Sequence, residues 1–277
     1  MGAGEADLGS GDLVVETETF SDEFWHEVLA GTQGQLRTGR RLMRHLPSSP
    51  RCKLCAAPFR GVGGQLMRLI GKGPWPRNPQ VCRTCLQQLT DHHGGAEIGC
   101  SLMFADVRGS TTMAQTMRPS AIHGLMDRFF DTAAGVLIDH DAIVDRFVGD
   151  QAIGIFVPAL AGPQHAARAV EAARALIEAT GGPGSGSWAP IGVGVSTGTA
   201  FVGSVGTGSH VDFTAVGDTV NIAARLASAA ATGEVLVTVE AAEAANLDPV
   251  GIERRELTLK GRSSATSVLI LQGAKSA

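Results

Sequence analysis

The sequence predicts an α+β protein, in which a ferredoxin-like βαββαβ domain, a sheet with helices, follows a small N-terminal four-cysteine module stapled by a metal ion. Three observations lead to this prediction. From Ala96 onward, apolar segments of strand length alternate with segments of helical period. Before Ala96, two Cys-x-x-Cys pairs stand in a stretch rich in Gly and Pro. Charge also divides the chain, because residues 28–95 hold eleven basic residues and one acid, whereas residues 96–277 hold twelve basic and eighteen acidic residues.

The composition is that of a folded protein without a membrane span. The chain has 277 residues, of which 44% are hydrophobic and 18% are charged, enough to build a packed core. It contains no apolar run near 18 residues and no basic-then-apolar signal at its N-terminus. We therefore expect a cytoplasmic protein with no transmembrane segment. Residues 1–18 are acidic with few large apolar groups, and are predicted to form a disordered leader.

Residues 19–95 are predicted to form a basic helical segment with the four-cysteine module. Apolar residues at helical spacing, such as Trp25, Val28 and Leu29, predict a helix from residue 22 to about residue 46. Arginines at its end suit the helix dipole. A solvated basic surface is the ordinary interpretation, and contact with an anionic surface, nucleic acid or a regulatory partner is the alternative.

Cys52, Cys55, Cys82 and Cys85 form the pattern of a metal site with four thiolates, because each Cys-x-x-Cys turn presents two thiolates to one side. A structural Zn²⁺ is the expected ion, and an iron–sulfur cluster is the alternative. Disulfides are not expected without a secretion signal. The domain boundary is predicted at residues 94–95, so that the second domain spans residues 96–277.

The second domain is predicted to contain strands and helices in an order that begins βαββαβ, with helices on one face of the sheet. Its strands are predicted over residues 98–104, 142–148, 151–157, 191–195, 200–205, 234–239, 252–258 and 266–271. Its helices are predicted over residues 110–139, with an interruption at Pro119, and over residues 164–180 and 217–231. Residues 206–213 are predicted to form an exposed connection.

Two aspartates end apolar segments of the second domain. Asp106 lies in SLMFADVRG and Asp150 lies in IVDRFVGDQAIGIF. Carboxylates on adjacent strand ends can share a pair of Mg²⁺ or Mn²⁺ ions. Gly109, Ser110 and Thr111 follow Asp106 and open a helix, whose first N–H groups can bind phosphates. A turn or helix cap is the ordinary alternative for each of these residues.

Asn221 and Arg225 form a second pair of polar residues with catalytic potential. They lie four residues apart in the predicted helix over 217–231, so both project from one face. The fixed fork and permanent charge of Arg suit the charge that develops on a phosphate. A solvated polar face on an Ala-rich helix is the alternative.

Three segments, FADVRGST, RFVGDQAIGIF and FTAVGDTVNIAARL, resemble the class III nucleotide cyclases, and the resemblance covers residues 98 to about 272. It implies a homodimer that converts a nucleoside triphosphate to a 3′,5′-cyclic nucleotide and pyrophosphate, with two Mg²⁺ or Mn²⁺ ions per site. Asp106, Asp150 and the Val107 carbonyl would bind these metals. The partner protomer would supply the residues for the base and the transition state, and residues 206–213 would reach across the interface.

The resemblance also implies roles for other polar residues. Asn221 would steady the ribose and Arg225 the charge on the α-phosphate. Lys260 would contact the triphosphate, and Arg262 could substitute for it. In the family the four-cysteine module has no counterpart in the catalytic core; we expect it, with the preceding helix, to regulate the enzyme or organise the dimer.

Base selection departs from the common family pattern. The resemblance assigns it to Arg146, where the family usually has Lys, and to Thr214, a residue found in a bacterial variant of the adenine-specific pattern. Arg could donate to adenine N1, to guanine O6 or to a pyrimidine carbonyl. The Glu and Cys pair of guanylate-type members is absent, so ATP is favoured. A cyclase making cyclic GMP or a cyclic pyrimidine nucleotide is the first alternative.

A protein without catalytic activity is the second alternative. In this interpretation the second domain would sense a nucleotide or a partner, and the basic module would bind nucleic acid. Because Asp106, Asp150, Asn221 and Arg225 are all present, the sequence favours an enzyme.

Overall fold

The computed structural model of the chain describes residues 21–34, 43, 50–76, 78–85, 87, 94–182, 186–207, 210–259 and 265–272. The predicted leader, Lys260, Arg262 and most of the second half of the helix predicted over residues 22–46 lie outside this part. Every helix within it is too short or too polar to span a bilayer.

The N-terminal segment contains two short helices and a small hairpin. Helix α1 (Asp22–Ala30) begins at Ser21, whose hydroxyl accepts a hydrogen bond from the Phe24 amide, and ends at Gly31 in the left-handed conformation. Helix α2 (Gly61–Leu69) follows the first cysteine pair. Strands β1 (Pro74–Trp75) and β2 (Asn78–Cys82) pair antiparallel and lead into the second cysteine pair.

Eight of the described strands form one sheet. They are β3 (Gly95–Val107), β4 (Ile143–Val148), β5 (Gln151–Phe156), β6 (Ile191–Thr207), β7 (His210–Val216), β8 (Glu234–Thr238), β9 (Glu253–Leu257) and β10 (Thr266–Gln272). The sheet order is β4-β5-β3-β6-β8-β10-β9, and β7 pairs with β6 outside this path. The first four strands have the order expected of a ferredoxin-like βαββαβ unit, which confirms the predicted fold class.

Helices cover both faces of this sheet. They are α3 (Ser110–Thr116), α4 (Pro119–Asp139), α5 (Pro158–Ala161), α6 (His165–Ala179), α7 (Asp218–Ala229) and α8 (Val239–Ala244). Helices α4, α6 and α8 pack against one face, which includes Met103, Val193 and Val195. Helix α7 and the N-terminal segment pack against the other face, which includes Cys100 and Leu102. The prediction of helices on one face is therefore wrong, since α7 and α1 lie opposite α4 and α6.

Helix α7 lies unusually close to β6 because of small residues on one face of that strand. A Cβ atom on Gly194 would lie 2.3 Å from the Ala223 carbonyl oxygen of α7. Ser196, two residues further along, donates from its hydroxyl to the Thr219 carbonyl at 2.6 Å. The alternation in IGVGVS thus sends Val side chains towards α6 and leaves room for the α7 backbone.

Strands β6 and β7 differ from the sequence-based expectation. The strands predicted over residues 191–195 and 200–205 are one continuous strand, because the polar residues between them still pair with β3, as Gly198 does with Cys100. The exposed connection predicted over residues 206–213 is also wrong. The residues of this range that the structure describes, 206–207 and 210–213, belong to the paired ends of β6 and β7, where Thr207 pairs with His210 and Gly206 with Val211.

The N-terminal segment and the sheet share one hydrophobic cluster. Trp25 and Leu29 of α1 pack in the same cluster as Ile98 of β3. Gly94, with a φ of 152°, permits the contact with α1, because a Cβ there would lie 2.2 Å from the Trp25 Nε1 atom. The domain boundaries at residues 18 and 95 stay predictions, and across the boundary at residue 95 the described residues of α1 and β3 are packed together.

Candidate active site

The two predicted metal-binding aspartates lie at the same end of the sheet. Asp106 is the penultimate residue of β3 and pairs with Gln151, the first residue of β5. Asp150 lies in the turn before β5, and its carbonyl accepts a hydrogen bond from the Val107 amide at 3.2 Å. The Asp106 side chain is 13% exposed. The antiparallel register of β3 and β5 therefore brings Asp106, Val107 and Asp150 together.

A cation of the protein itself stands beside these carboxylates. The Arg108 guanidinium forms an ion pair with the Asp106 carboxylate and donates to the Ser228 carbonyl of α7 at 2.7 Å. Burial lowers the pKa of Arg108, and the negative charge of Asp150 opposes that shift. Arg108 was not among the residues that the sequence motifs indicated. The sequence feature that could have indicated Arg108 is its position as a single basic residue directly after an apolar strand, in the segment that carries Asp106.

Neutral side chains hold each carboxylate in place. The Ser110 hydroxyl donates to Asp150 Oδ2, and the Gln151 amide donates to Asp106 Oδ2 at 2.7 Å. Gly109 precedes α3 with a φ of 73°, in the left-handed conformation. Thr111 follows Ser110 in the first turn of α3 and is exposed. The Gly109–Thr111 segment thus borders the aspartates, and Gln151 is a contact that sequence analysis missed.

Asn221 and Arg225 both lie on α7. Asn221 is exposed and Arg225 is half-buried, while Ala223 and Leu226 between and beyond them are buried. Arg225 lines a cleft of about 640 Å³ together with Gln151, Ser228, Thr258 and Leu259. Arg225 therefore shares a cleft with the residue that holds Asp106.

The predicted base-selecting residues meet at an irregularity of β4. Val144 pairs with Gly154 and Phe147 with Ala152, so Asp145 and Arg146 together oppose Ile153 in a β-bulge. Such bulges redirect side chains near functional sites. The Arg146 side chain lies outside the described structure.

Thr214 reaches this bulge from β7. It is 6% exposed, and its hydroxyl donates to Asp145 Oδ2 at 2.7 Å. Asp145 was not among the residues that the sequence motifs indicated, although an acid inside the apolar segment IVDRFV is an unusual feature.

The four cysteines of the N-terminal module converge as the sequence predicts. Their sulfur atoms are buried and all lie within 4.8 Å of one another. The Cys55 and Cys82 sulfurs are 3.7 Å apart, and the Cys82 amide donates to the Cys52 sulfur at 3.3 Å. Four sulfurs at about 2.3 Å from a single ion would be about 3.8 Å apart in a tetrahedron. The donor set therefore fits one tetrahedral ion, and a cluster of several irons would spread the sulfurs further.

The protonation of these thiols depends on their mutual contacts. Hydrogen bonds from Cys52, Cys55 and Cys82 raise the pKa of Cys85, and hydrogen bonds from Cys52 and neighbouring thiols lower that of Cys55. A metal ion requires thiolates, so binding would release protons from the thiols with a raised pKa. Cys100 is separate from this cluster, and burial raises its pKa to about 12, as expected of a plain buried thiol.

Comparison with known proteins identifies the second half of the chain. A family model described as "Adenylate and Guanylate cyclase catalytic domain" matches residues 96–272. Adenylate cyclase 1 of Rhizobium meliloti (strain 1021) is 30% identical over 185 residues, which are 62% of this chain and 27% of that protein. The chain thus spans about a quarter of the length of the curated relatives it matches.

Solved structures share the fold. The adenylyl cyclase CyaB from P. aeruginosa superposes with a TM-score of 0.56 at 24% identity, covering 66% of this chain and 99% of that one. The guanylyl cyclase Cya2 superposes with a TM-score of 0.56 at 22% identity, covering 66% of this chain and 96% of that one. Both adenylyl and guanylyl cyclases thus resemble this chain in fold.

Proposed function

The chain belongs to the adenylate and guanylate cyclase catalytic domain family, and from this premise we propose that it converts ATP to 3′,5′-cyclic AMP and pyrophosphate as a homodimer. One observation carries the proposal: the register of β3 and β5 brings Asp106, Val107 and Asp150 together at one end of the sheet. The name of the Rhizobium relative, adenylate cyclase 1, supports ATP as the substrate.

Asp106, Asp150 and the Val107 carbonyl would hold two Mg²⁺ or Mn²⁺ ions. Their oxygen donors suit these ions, and the ion pair with Arg108 supports a site that favours positive charge. When bound, the ions would lower the pKa of the ribose 3′-hydroxyl and stabilise the charge that develops during attack on the α-phosphate. Arg108 would then give up Asp106 and keep its second partner, the Ser228 carbonyl.

The remaining polar residues would bind and orient the nucleotide. Ser110 and Thr111, at the start of α3, would donate to the phosphates. Asn221 would hold the ribose, and Arg225 would stabilise the transition-state charge on the α-phosphate with its guanidinium. Lys260 is the further residue proposed for the triphosphate. The proton of the 3′-hydroxyl would leave to Asp106 or to solvent.

The Thr214 hydroxyl favours adenine for a physical reason. It donates its hydrogen to Asp145, and a carboxylate can only accept, so towards a ligand this hydroxyl presents lone pairs. Adenine offers a donor at position 6, the amino group, whereas guanine offers an acceptor there. Arg146 favours a second candidate function, the formation of cyclic GMP or of a cyclic pyrimidine nucleotide. Its fork of N–H donors would also suit guanine O6 or a pyrimidine carbonyl.

A homodimer is supported by apolar residues on two hairpins of the sheet. Phe147 and Val148 of β4 and Val205 and Val216 of the β6–β7 hairpin are each 40% to 51% exposed. A second copy would cover such residues, and each copy carries both the metal-binding and the transition-state residues. The β6–β7 hairpin is the segment we propose to reach across the interface.

Zn²⁺ is the ion we propose for Cys52, Cys55, Cys82 and Cys85, in a structural role. A reducing cytoplasm would keep these thiols available to the metal. We also propose that this module regulates the enzyme or organises the dimer. Its contacts with the sheet domain support this, because Lys53 pairs with Asp141 and the Gln80 amide donates to the Ile138 carbonyl.

The proposal is tested by product analysis. The purified chain is incubated separately with ATP, GTP, CTP and UTP in the presence of Mn²⁺ or Mg²⁺, and products are identified by mass spectrometry. We expect cyclic AMP as the main product. A preference for another nucleotide would indicate that Arg146 selects the base of that nucleotide. The absence of a cyclic product from every nucleotide would favour the alternative of a sensor without catalytic activity.

A further inference from the structure

Helix α2 exposes a stripe of large aliphatic side chains. Val62 is 85% exposed and Leu69 is 84% exposed, while Leu66 and Ile70 are 55% and 56% exposed. Leu66 and Leu69 lie four and seven residues after Val62, on one side of the helix, and Ile70 is the residue that directly follows the helix. Elsewhere in the part of the chain that the structure describes, exposed large apolar residues occur singly or as a pair. We call Val62, Leu66, Leu69 and Ile70 the α2 stripe.

The opposite side of α2 is fixed to the four-cysteine module. Met67 is 6% exposed, and Gly64 lies so close to Phe59 that a Cβ atom would be 2.5 Å from the Phe59 carbonyl carbon. The helix is therefore anchored by one side on the module core, and the α2 stripe points away from it. A rigid scaffold that presents four aliphatic side chains outward is typical of an interaction surface.

The charge around the α2 stripe is of one sign. Residues 50–90 contain no Asp or Glu and seven Lys or Arg residues. Arg60, next to the start of α2, and Arg68, in its last turn, are exposed. The helix thus combines an aliphatic stripe with flanking cations and no flanking anion.

An aliphatic stripe flanked by cations suits some kinds of partner better than others, and three kinds can be compared. A second copy of the module would carry the same positive charge and repel the first. Single-stranded nucleic acid is bound by aromatic side chains that stack on bases, and the α2 stripe is aliphatic throughout. An anionic lipid surface suits both features, because acyl chains accept aliphatic side chains while the headgroups attract Arg.

We propose that α2 is a membrane-docking helix, which lies in the surface of an anionic bilayer with the α2 stripe among the acyl chains and with Arg60 and Arg68 at the phosphate headgroups. Docking of this kind is peripheral and reversible, because four side chains bury far less apolar surface than a spanning helix does. The inference does not depend on the cyclase activity.

The test is sedimentation of the full chain with lipid vesicles. Vesicles of phosphatidylcholine alone are compared with vesicles that also contain phosphatidylglycerol, at low and at high salt. Val62→Gln, Leu66→Gln and Leu69→Gln are combined in one variant. Val250→Gln is the matched control, because Val250 is 83% exposed in a turn far along the chain from the module. Metal content verifies that the module of each variant is folded.

We expect the native chain and the Val250→Gln control to sediment with anionic vesicles but not with neutral ones, and salt to weaken this binding. The triple variant should bind at least tenfold more weakly while it keeps its metal. Equal binding by the triple variant and the native chain would overturn the proposal. So would a triple variant that changes only the oligomeric state in ultracentrifugation, since the α2 stripe would then contact a second copy.

Discussion

At the scale of single residues, one hydrogen bond would determine how Thr214, which we propose to select the base, meets the nucleotide. The Thr214 hydroxyl has its hydrogen directed to Asp145, which lies in the bulge of β4 beside Arg146. Thr214 is thereby fixed as an acceptor, the polarity that adenine requires. We therefore propose that Asp145 acts through Thr214, as a positioning residue.

Replacement of Asp145 tests this polarity. In Asp145→Ala the Thr214 hydroxyl can rotate and donate to guanine O6, so the ratio of kcat/KM for ATP over GTP should fall about tenfold, the effect of one hydrogen bond. Steady-state rates with both nucleotides measure the ratio. Asp131→Ala, on an exposed position of α4, is the control and should leave it unchanged. An unchanged ratio in Asp145→Ala would rule out the role of Asp145.

Residue types in the chain predicted that Asp106 and Asp150 lie together, but not the contacts around them. The motifs led to Asp106 and Asp150, and the structure brings both to one sheet end. Arg108 and Gln151 were missed because their importance lies in partners, Asp106 and the Ser228 carbonyl, that only the fold brings near. Sequence reveals that a side chain is charged, and packing decides what it faces.

At the scale of elements, the contact between β6 and α7 positions Arg225. Gly194 lies under Ala223 and Ala227, with no room for a Cβ atom. Helix α7 can therefore lie against the sheet, with Arg225 at the cleft that Gln151 also lines.

Gly194→Ala tests the importance of this contact. The added methyl group must push α7 outward, so the free energy of unfolding should fall by about 1–3 kcal/mol and kcat should fall with it. Gly99→Ala on β3 is the matched control, because nothing lies within 4 Å of its Cβ position. Urea unfolding and steady-state rates measure both effects. If both variants behaved alike, the close approach of α7 would have no consequence for stability.

The four-cysteine module contacts the end of helix α4, which leads into the β4–β5 hairpin that carries Asp150. Lys53 pairs with Asp141 and Gln80 donates to Ile138, at the end of α4 and just before β4. Strand β4 carries the bulge with Arg146 and ends before Asp150. The module therefore contacts the connection between α4 and β4, where this hairpin begins.

Loss of the metal should weaken the contacts between the module and the connection from α4 to β4. In Cys82→Ser we expect loss of the bound ion, a lower melting temperature and a reduced kcat, because three thiolates hold a structural ion less firmly than four. Metal analysis, thermal unfolding and rates measure the three effects. Cys100→Ala removes a buried thiol outside the cluster and should keep the metal. Normal activity in metal-free Cys82→Ser would show that the module does not support catalysis.

Helices and strands were predicted well where apolar residues recur regularly. They were predicted less well where backbone pairing between strands, and not a run of apolar residues, defines the strand. Strands β4, β5 and β10 lie where the apolar segments predict them. Strand β7 was missed although HVDFTAV alternates polar and apolar residues from His210 to Ala215, the period of a strand. Strand β6 was divided because the segment STGT interrupts its apolar residues, yet the backbone of this segment pairs with β3. Main-chain hydrogen bonding leaves little trace in residue type.

At the scale of the whole molecule, the two proposed sets of catalytic residues, the aspartates and Arg225, would determine how a dimer works. If the aspartates of one protomer act with the Arg225 of its partner, variants lacking one set each can complement one another. Random mixing of Asp106→Ala and Arg225→Ala chains would give half mixed dimers with one intact site, and hence about one quarter of the native activity. Cyclic AMP formation by the mixture, compared with each variant alone, measures this. A mixture as inactive as its components would contradict a shared site.

The proposed cyclase activity depends on Asp106 most directly. The decisive measurement is the rate of cyclic AMP formation from ATP and Mn²⁺ by the native chain and by Asp106→Asn, with Asp127→Asn as the control on an exposed position of α4, where the Asp127 side chain is 64% exposed. We expect the native chain and the control to form cyclic AMP at equal rates, and Asp106→Asn to be slower by about 10³-fold or more, because an amide binds a divalent cation weakly. An Asp106→Asn chain as fast as the native one, or a native chain that forms no cyclic AMP, would contradict the account.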